Sequence, residues 1–342
     1  MPSAGSIIFG DELLQDRDYL MNQTSRRKKI RFIFKWILWV LLVQFVLINI
    51  SGILYGYKLT HFYEPSLKPL QPSSKNILVK TWKLFRGPRF EKTVIEEVPH
   101  FPYETIDLVT KKNIKIEAWY MPVDSSKGTV IMVHGLGGNK SLLMSQAYEF
   151  RYFGFNVLFI DLRAHGNSGG NTTTLGFRES EEIKLAYEYI FKKSEKRIFL
   201  YGISLGAVVV AKAIYDYNLA PSGIILDMPF GSLKKLLEGR ARILGFPEEP
   251  FGVLVTFWSG IERGFNGFRH NTIRYAKKIN CPVLMQYGAL DRLVTSTETN
   301  SIFRNIASDK KKLVIYENAG HDYFLNKDPL KWRKEVSEFL LK

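Results

Sequence analysis

The sequence predicts an α/β protein: a mostly parallel sheet with helices on both faces and a helical insertion, preceded by one membrane-spanning helix. Three observations predict it. A stretch of 22 residues without a charge lies near the N-terminus. From residue 103 onward, short apolar runs alternate with longer amphipathic ones. One of those apolar runs leads into Gly202-Ile203-Ser204-Leu205-Gly206, and a small-residue helical stretch follows at once.

The chain has 342 residues, enough for one large α/β domain plus an extra segment. Its single cysteine, Cys281, excludes an internal disulfide and any cysteine-based metal site. Cys281 stands before Pro282 at the head of an apolar run and reads as a buried structural thiol. Net charge is +15; residues 1–58 hold eight Lys/Arg against four Asp/Glu, and the rest carries about +11. Such a balance suits an anionic surface, most simply lipid headgroups. No nucleic-acid-binding motif accompanies it, so nucleic acid is not an expected partner.

The uncharged stretch covers residues 36–57, between Lys35 and Lys58. At roughly 1.5 Å per residue it spans a bilayer core. Trp36, Trp39, Tyr55 and Tyr57 stand near its two ends, as interfacial aromatics do. Arg26-Arg27-Lys28-Lys29 and Arg31 lie just upstream and put the N-terminal side in the cytoplasm. A cleaved signal peptide fits less well, because Asp11, Glu12, Asp16 and Asp18 precede the stretch and no Ala-x-Ala site follows it. The expectation is a cytoplasmic tail over 1–35, a single-pass anchor over 36–57 and a large domain on the non-cytoplasmic side.

Residues 58–102 contain Pro65, Pro69, Pro72, Pro88, Pro99 and Pro102 and read as a juxtamembrane linker. Within them Ile77, Leu78, Trp82 and Phe85 mix with Lys75, Lys80, Lys83 and Arg86, which allows an interfacial helix or packing on the main domain.

From residue 103 the elements follow in order. Residues 105–109 and 114–121 read as a hairpin around Lys111-Lys112-Asn113. Strands at 129–133, 156–161 and 197–201 are each followed by a helix: 141–153, 177–192 and the stretch after the Ser204 turn. Strands follow at 223–227, 282–287 and 312–316, with helices at 297–307 and 330–340. Ligands in such sheets bind beyond the carboxyl ends of the strands. Residues 230–280 interrupt the rhythm with Phe246, Phe251, Phe257, Trp258, Ile261, Phe265 and Phe268 mixed with Arg240, Arg242, Arg263 and Arg269. A structureless loop of that length is unusual in a compact domain, so a helical cap is expected. Its aromatics form either the cap's own core or an acyl pocket.

A serine hydroxyl needs a base within hydrogen-bond reach and a carboxylate to orient that base. Ser204 occupies the strand-to-helix turn of a nucleophile elbow. Of six histidines, only His321 follows a late strand, in Asn318-Ala319-Gly320-His321. Asp291 sits in the loop after the penultimate strand, and Asp227, which also ends a strand, is the rival acid. The chain order is Ser204, Asp291, His321. In His134-Gly135-Leu136-Gly137-Gly138 the glycines free the backbone, so the Leu136 and Leu205 N–H groups are the expected oxyanion hole. His134 reads as structural, Arg163 and His165 as holding the loop after Asp161, and His270 as solvated.

These motifs resemble the α/β-hydrolase-fold serine hydrolases, in the serine aminopeptidase-like, monoacylglycerol-lipase-like branch. The resemblance covers residues 103–342. It rests on His134-Gly135-x-Gly137-Gly138, the segment from Asp161 to Gly169, the elbow, Asp291 and Gly320-His321. In that family the segment after Asp161 usually reads Asp-x-Arg-Gly-x-Gly-x-Ser, and Ala164 departs from it. The resemblance implies hydrolysis of an ester, thioester or amide with no cofactor and no metal. The function expected is that of a membrane-anchored serine hydrolase cleaving a small or lipid-like acyl ester through Ser204, His321 and Asp291. A thioesterase or aminopeptidase of the same fold, and a catalytically silent binding protein, are the alternatives.

Overall fold

The computed structural model describes residues 8–65, 76, 82, 85 and 87–341. Two compact units divide between Ser51 and Gly52. Helix α1 (Ile8–Leu59) supplies all the described secondary structure of the first unit and, from Gly52, opens the second. It contains one span, Arg26–Leu59, long and apolar enough to cross a membrane. Trp36, Trp39 and Phe45 are each at least 60% exposed, an arrangement of large apolar groups that water disfavours.

The second unit is built on eight strands: β1 (Glu104–Val109), β2 (Lys115–Met121), β3 (Thr129–Val133), β4 (Asn156–Ile160), β5 (Ile198–Ile203), β6 (Gly223–Asp227), β7 (Val283–Gly288) and β8 (Lys311–Tyr316). Their order across the sheet is β1-β2-β4-β3-β5-β6-β7-β8. The first three in that order pair antiparallel and all the others parallel. The apolar runs alternate between two cores. Ile131, Val133, Leu200 and Leu226 face one, and Val130, Met132, Tyr201 and Ile225 face the other. A strand buried on both faces needs no polar alternation, which is why these read as continuous apolar runs.

Helices cover both cores. Helix α3 (Ser180–Lys192) and α4 (Leu205–Tyr217) bring Ile183, Ala186, Val208 and Val209 to the first. Helix α2 (Met144–Tyr152) and the closing helix Pro329–Leu341 bring Phe150, Trp332 and Val336 to the second. The interruption at 230–280 is helical: α5 (Leu233–Leu244), α6 (Glu248–Arg263) and α7 (Thr272–Ala276). The Ser232 side chain caps α5 by accepting the Lys235 N–H, and Gly245, at φ +77°, ends it.

The boundary that the sequence suggests at residue 102 lies well inside the second unit. Tyr55 and Leu59 are buried in the same core as α4, and Phe62 is buried beside them in sequence. The Phe62 N–H donates to Asn171 O at 2.7 Å, and the Thr173 N–H to Thr60 O at 3.0 Å. Phe62–Tyr63 pairs in parallel with Phe90–Glu91. A Cβ on Gly52 would stand 2.7 Å from Leu254, and one on Gly56 3.0 Å from the Ser259 backbone. The end of α1 therefore seats against α6 at a distance only glycine permits. Residues 52–63 are part of the folded body because their apolar side chains have a core to enter. The mixture of Ile77 and Leu78 with Lys75, Lys80 and Lys83, and the prolines Pro69 and Pro72, lie outside the described residues.

Candidate active site

Ser204 sits between β5 and α4 with φ +53° and ψ −111°, a backbone conformation that costs energy for any residue with a side chain. Its neighbours explain how the turn closes. A Cβ on Gly202 would meet the Ala207 N at 2.5 Å, and one on Gly206 would meet Val133 O at 2.2 Å. Both positions must lack a side chain for α4 to start directly above β3 and β5.

Two loops bring the partners to Ser204. Gly288 ends β7, and a Cβ there would lie 2.2 Å from Gly320 O. Backbone bonds then zip the loops together: Ala289 N–H to Tyr316 O and Leu290 N–H to Ala319 O, both 2.9 Å. The result sets His321 Nδ1 2.7 Å from Asp291 Oδ2 and His321 Nε2 2.9 Å from Ser204 Oγ. The other carboxylate oxygen of Asp291 accepts the Leu293 and Val294 N–H groups at 2.7 and 2.9 Å, which fixes its orientation. Asp227 is elsewhere. It is buried and accepts from the Tyr201 hydroxyl and the Gln286 amide, both at 2.8 Å. Burial pushes its carboxyl up to about 7.

The Leu136 and Leu205 backbones line the cavity that holds Ser204 and His321. Among the described residues neither N–H has a hydrogen-bond acceptor, so both are available to a developing oxyanion. Gly137, at φ +76°, shapes the Leu136 turn, which the Gly138 N–H closes on Gly135 O at 3.1 Å.

A buried frame supports this turn. His134 accepts the Leu162 N–H at 3.1 Å, and burial lowers its pKa to about 4. His165 accepts the Gly137 N–H at 3.1 Å, and burial lowers its pKa to about 3. Asp161 accepts the Lys140 N–H and Nζ at 2.7 and 2.6 Å and the Asn167 N–H at 2.9 Å. Ala164 stands at φ +63°, which accounts for glycine as the usual residue at this place and costs this chain about 1 kcal/mol. Burial pushes the Cys281 thiol up to about 12, as suits an unreactive group.

Two expectations are corrected. His270 is buried, not solvated: its ring lies 2.9 Å from Leu175 O and 3.0 Å from the Tyr275 hydroxyl. The seven large apolar residues of the insertion do not line the cavity at Ser204. Phe251 packs edge-on against Tyr55 at 4.9 Å, Phe265 stacks on Phe177 at 4.7 Å, and Phe257, Ile261 and Phe268 are exposed. The insertion reaches the cavity through Phe230, Leu236 and Arg240 instead. Helical period on α5 turns Leu236 and Arg240 to the same face, a signal present in the sequence but masked by the more conspicuous aromatics of α6.

The family model described as "Serine aminopeptidase, S33" matches residues 124–247 and 265–328, more than half of the chain. The chain belongs to the serine aminopeptidase family. Ser204, Asp291, His321 and Leu136 all fall within the match, which leaves out α6, the helix against which the end of α1 seats. The uncharacterized protein YqkD of Bacillus subtilis is 28% identical over 231 residues, 66% of this chain and 75% of that protein. An uncharacterized membrane protein of Saccharomyces cerevisiae is 28% identical over 139 residues, 40% of this chain and 49% of that one. The solved structure of the Pyrococcus furiosus esterase Pf2001 is similar with a TM-score of 0.60 and 27% identity, covering 73% of this chain and 96% of the esterase. Serine aminopeptidase membership makes the chain an α/β-hydrolase of the esterase- and lipase-like kind.

Proposed function

We propose that this chain is a membrane-anchored serine hydrolase that cleaves an acyl ester through a covalent acyl-enzyme. The observation that carries the reading is the line from Asp291 through His321 to Ser204, at 2.7 and 2.9 Å. His321 takes the Ser204 proton as Oγ attacks the carbonyl carbon, and Asp291 stabilises the imidazolium. The carbonyl oxygen becomes an oxyanion held by the Leu136 and Leu205 N–H groups. When the C–O bond to the leaving alcohol breaks, His321 gives the proton to that oxygen. Water then attacks the acyl-enzyme by the same route, His321 taking its proton, and releases the acid.

An ester suits the cavity better than a peptide amino terminus. The carboxylate that lines it, Asp322, already accepts the Gly320 N–H at 2.8 Å and lies 3.5 Å from Lys327 Nζ, and Asp291 behind it is taken by His321. A fluorophosphonate probe should label the wild type and not Ser204→Ala. A folded wild type that resists the probe would overturn the reading.

The anchor is the part of residues 36–57 that precedes Gly52, where the helix enters the folded body, with 1–35 cytoplasmic and the hydrolase unit on the other side. The apolar exposed surface of α1 and the basic run Arg26-Lys29 support this. In sealed cells, external protease should reach the hydrolase unit; protection until lysis would reverse the orientation.

A further inference from the structure

The cavity at Ser204 holds a cation that acyl transfer does not use. Arg240, on α5, lines the same space of about 190 Å³ as Ser204 and His321. It also lines a larger adjoining cavity of about 710 Å³, whose wall includes Tyr55, Trp82, Ile243 and Leu244. Among the described residues Arg240 has no ion-pair partner. Its neighbours are the Tyr55 hydroxyl, a neutral hydrogen-bond partner, and the Phe90 ring, whose centroid lies 5.5 Å from the guanidinium carbon. Its Nε is buried with no hydrogen-bond partner.

Three other arginines of this unit have polar partners. Arg242 gives two bonds to Glu248 at 2.8 and 3.0 Å, Arg263 donates to Thr60 Oγ1 at 2.7 Å, and Arg163 pairs with Glu182. Arg240 alone among these four faces the reaction cavity. Burial holds its pKa below the ordinary arginine value, with only the Tyr55 hydroxyl opposing the shift. Arg240 is half-buried, but its Nε is shut off from water, and a guanidinium so placed without a counter-charge is unfavourable in the free protein. An anion entering the cavity removes that penalty and finds a planar donor suited to two parallel bonds.

We propose that Arg240 selects the substrate: the ester cleaved at Ser204 carries a phosphate or carboxylate that pairs with Arg240, and its apolar chain extends into the larger cavity. The inference rests on Ser204 being the nucleophile, as proposed above. The larger cavity suits a chain because Tyr55, Trp82, Ile243 and Leu244 present mostly apolar surface.

The test compares kcat/KM of the full-length chain in detergent on two matched pairs. One pair is a monoacylglycerol phosphate against the same monoacylglycerol. The other is a p-nitrophenyl hemi-ester of a dicarboxylic acid against its methyl-capped form. The wild type should prefer the anionic member by on the order of 10- to 100-fold, the scale of a hydrogen-bonded charge. The ratio should fall to about one in Arg240→Met and recover in part in Arg240→Lys. Preference confined to the phosphate pair assigns the anion to a lipid headgroup, and preference confined to the hemi-ester pair to a small acid; either supports the site. A wild-type ratio of one or less in both pairs overturns it, as does a preference that survives in Arg240→Met. If Arg240→Met does not fold, inorganic phosphate decides: competitive inhibition of neutral-ester hydrolysis by the wild type supports the site, and no inhibition overturns it. Absence of both fluorophosphonate labelling and ester turnover in the wild type would sink the hydrolase reading itself. Labelling and turnover without anionic preference would sink only the role of Arg240.

Discussion

The Gly137 N–H donates to Nε2 of His165 across 3.1 Å. The other ring nitrogen of His165 faces Arg163 O at 2.8 Å, so the neutral ring donates from Nδ1 and accepts at Nε2. This bond ties the turn that carries Leu136 to the loop after Asp161. The loop motif thus acts on the cavity through hydrogen bonds to the backbone and to His134, without a side chain of its own lining it.

His165→Leu should therefore leave Gly137 without an acceptor and loosen the Leu136 N–H. We expect kcat to fall roughly tenfold with KM little changed, short of the 10²–10³ that follows loss of an oxyanion donor. Steady-state kinetics on a neutral ester checks this. An unchanged kcat would mean the turn holds its shape by Gly137 and Gly138 alone.

The two aspartates should separate cleanly. Asp291→Asn is expected to lower kcat by up to about 10⁴, the cost of losing the carboxylate that orients the base. Asp227→Asn should change kcat by no more than a few-fold, because its carboxyl bonds to Tyr201 and Gln286 and does not reach His321. A large loss in the Asp227 variant, with Asp291→Asn active, would reverse the assignment.

Buried His270 gives a pH dependence of known sign. Burial lowers its pKa from 6.5 to about 4, so it is neutral in the fold and takes a proton once unfolded below pH 6.5. Its contribution to stability is present above pH 6.5 and is lost progressively as pH falls toward 4. His270→Gln should be less stable than the wild type at pH 7.5. That gap should narrow by about 2 kcal/mol on going to pH 5. Thermal or urea unfolding of both proteins at the two values measures it; a gap independent of pH would count against a neutral buried ring.

The hydrolase unit should need residues 52–63. A chain beginning at residue 103 loses buried Tyr55, Leu59 and Phe62 and the pairing of Phe62–Tyr63 with Phe90–Glu91. Loss of one such side chain costs about 2–5 kcal/mol, so this chain should be insoluble or molten. A chain beginning at Gly52 should unfold cooperatively. Gly56→Leu in the full chain should lower stability by at least 1–3 kcal/mol, since even a Cβ meets the Ser259 backbone at 3.0 Å. Equal stability of the chains starting at 52 and at 103 would show that α1 ends outside the core.

The sequence by itself determined the fold and named Ser204, His321 and Asp291 as the candidate reacting residues. Strands such as Thr129–Val133 and Gly223–Asp227 are legible because burial on both faces leaves a continuous apolar run with no competing period. Gly202 and Gly206 mark the elbow because backbone contacts at 2.2–2.5 Å exclude any Cβ there. Tertiary structure alone decided between Asp227 and Asp291. Both end a strand, and only the approach of Gly288 to Gly320 brings one of them to His321. It alone decided that His270 is buried, since its partners Leu175 and Tyr275 come from separate segments. It also turned Phe251 of α6 toward Tyr55 and away from Ser204, and left Arg240 without a counter-charge in the cavity that holds Ser204. Periodicity reports which face of a helix is apolar. Which neighbour covers that face, and which charge goes unpaired, depends on residues far apart in the chain that meet only when the sheet and its insertion have packed.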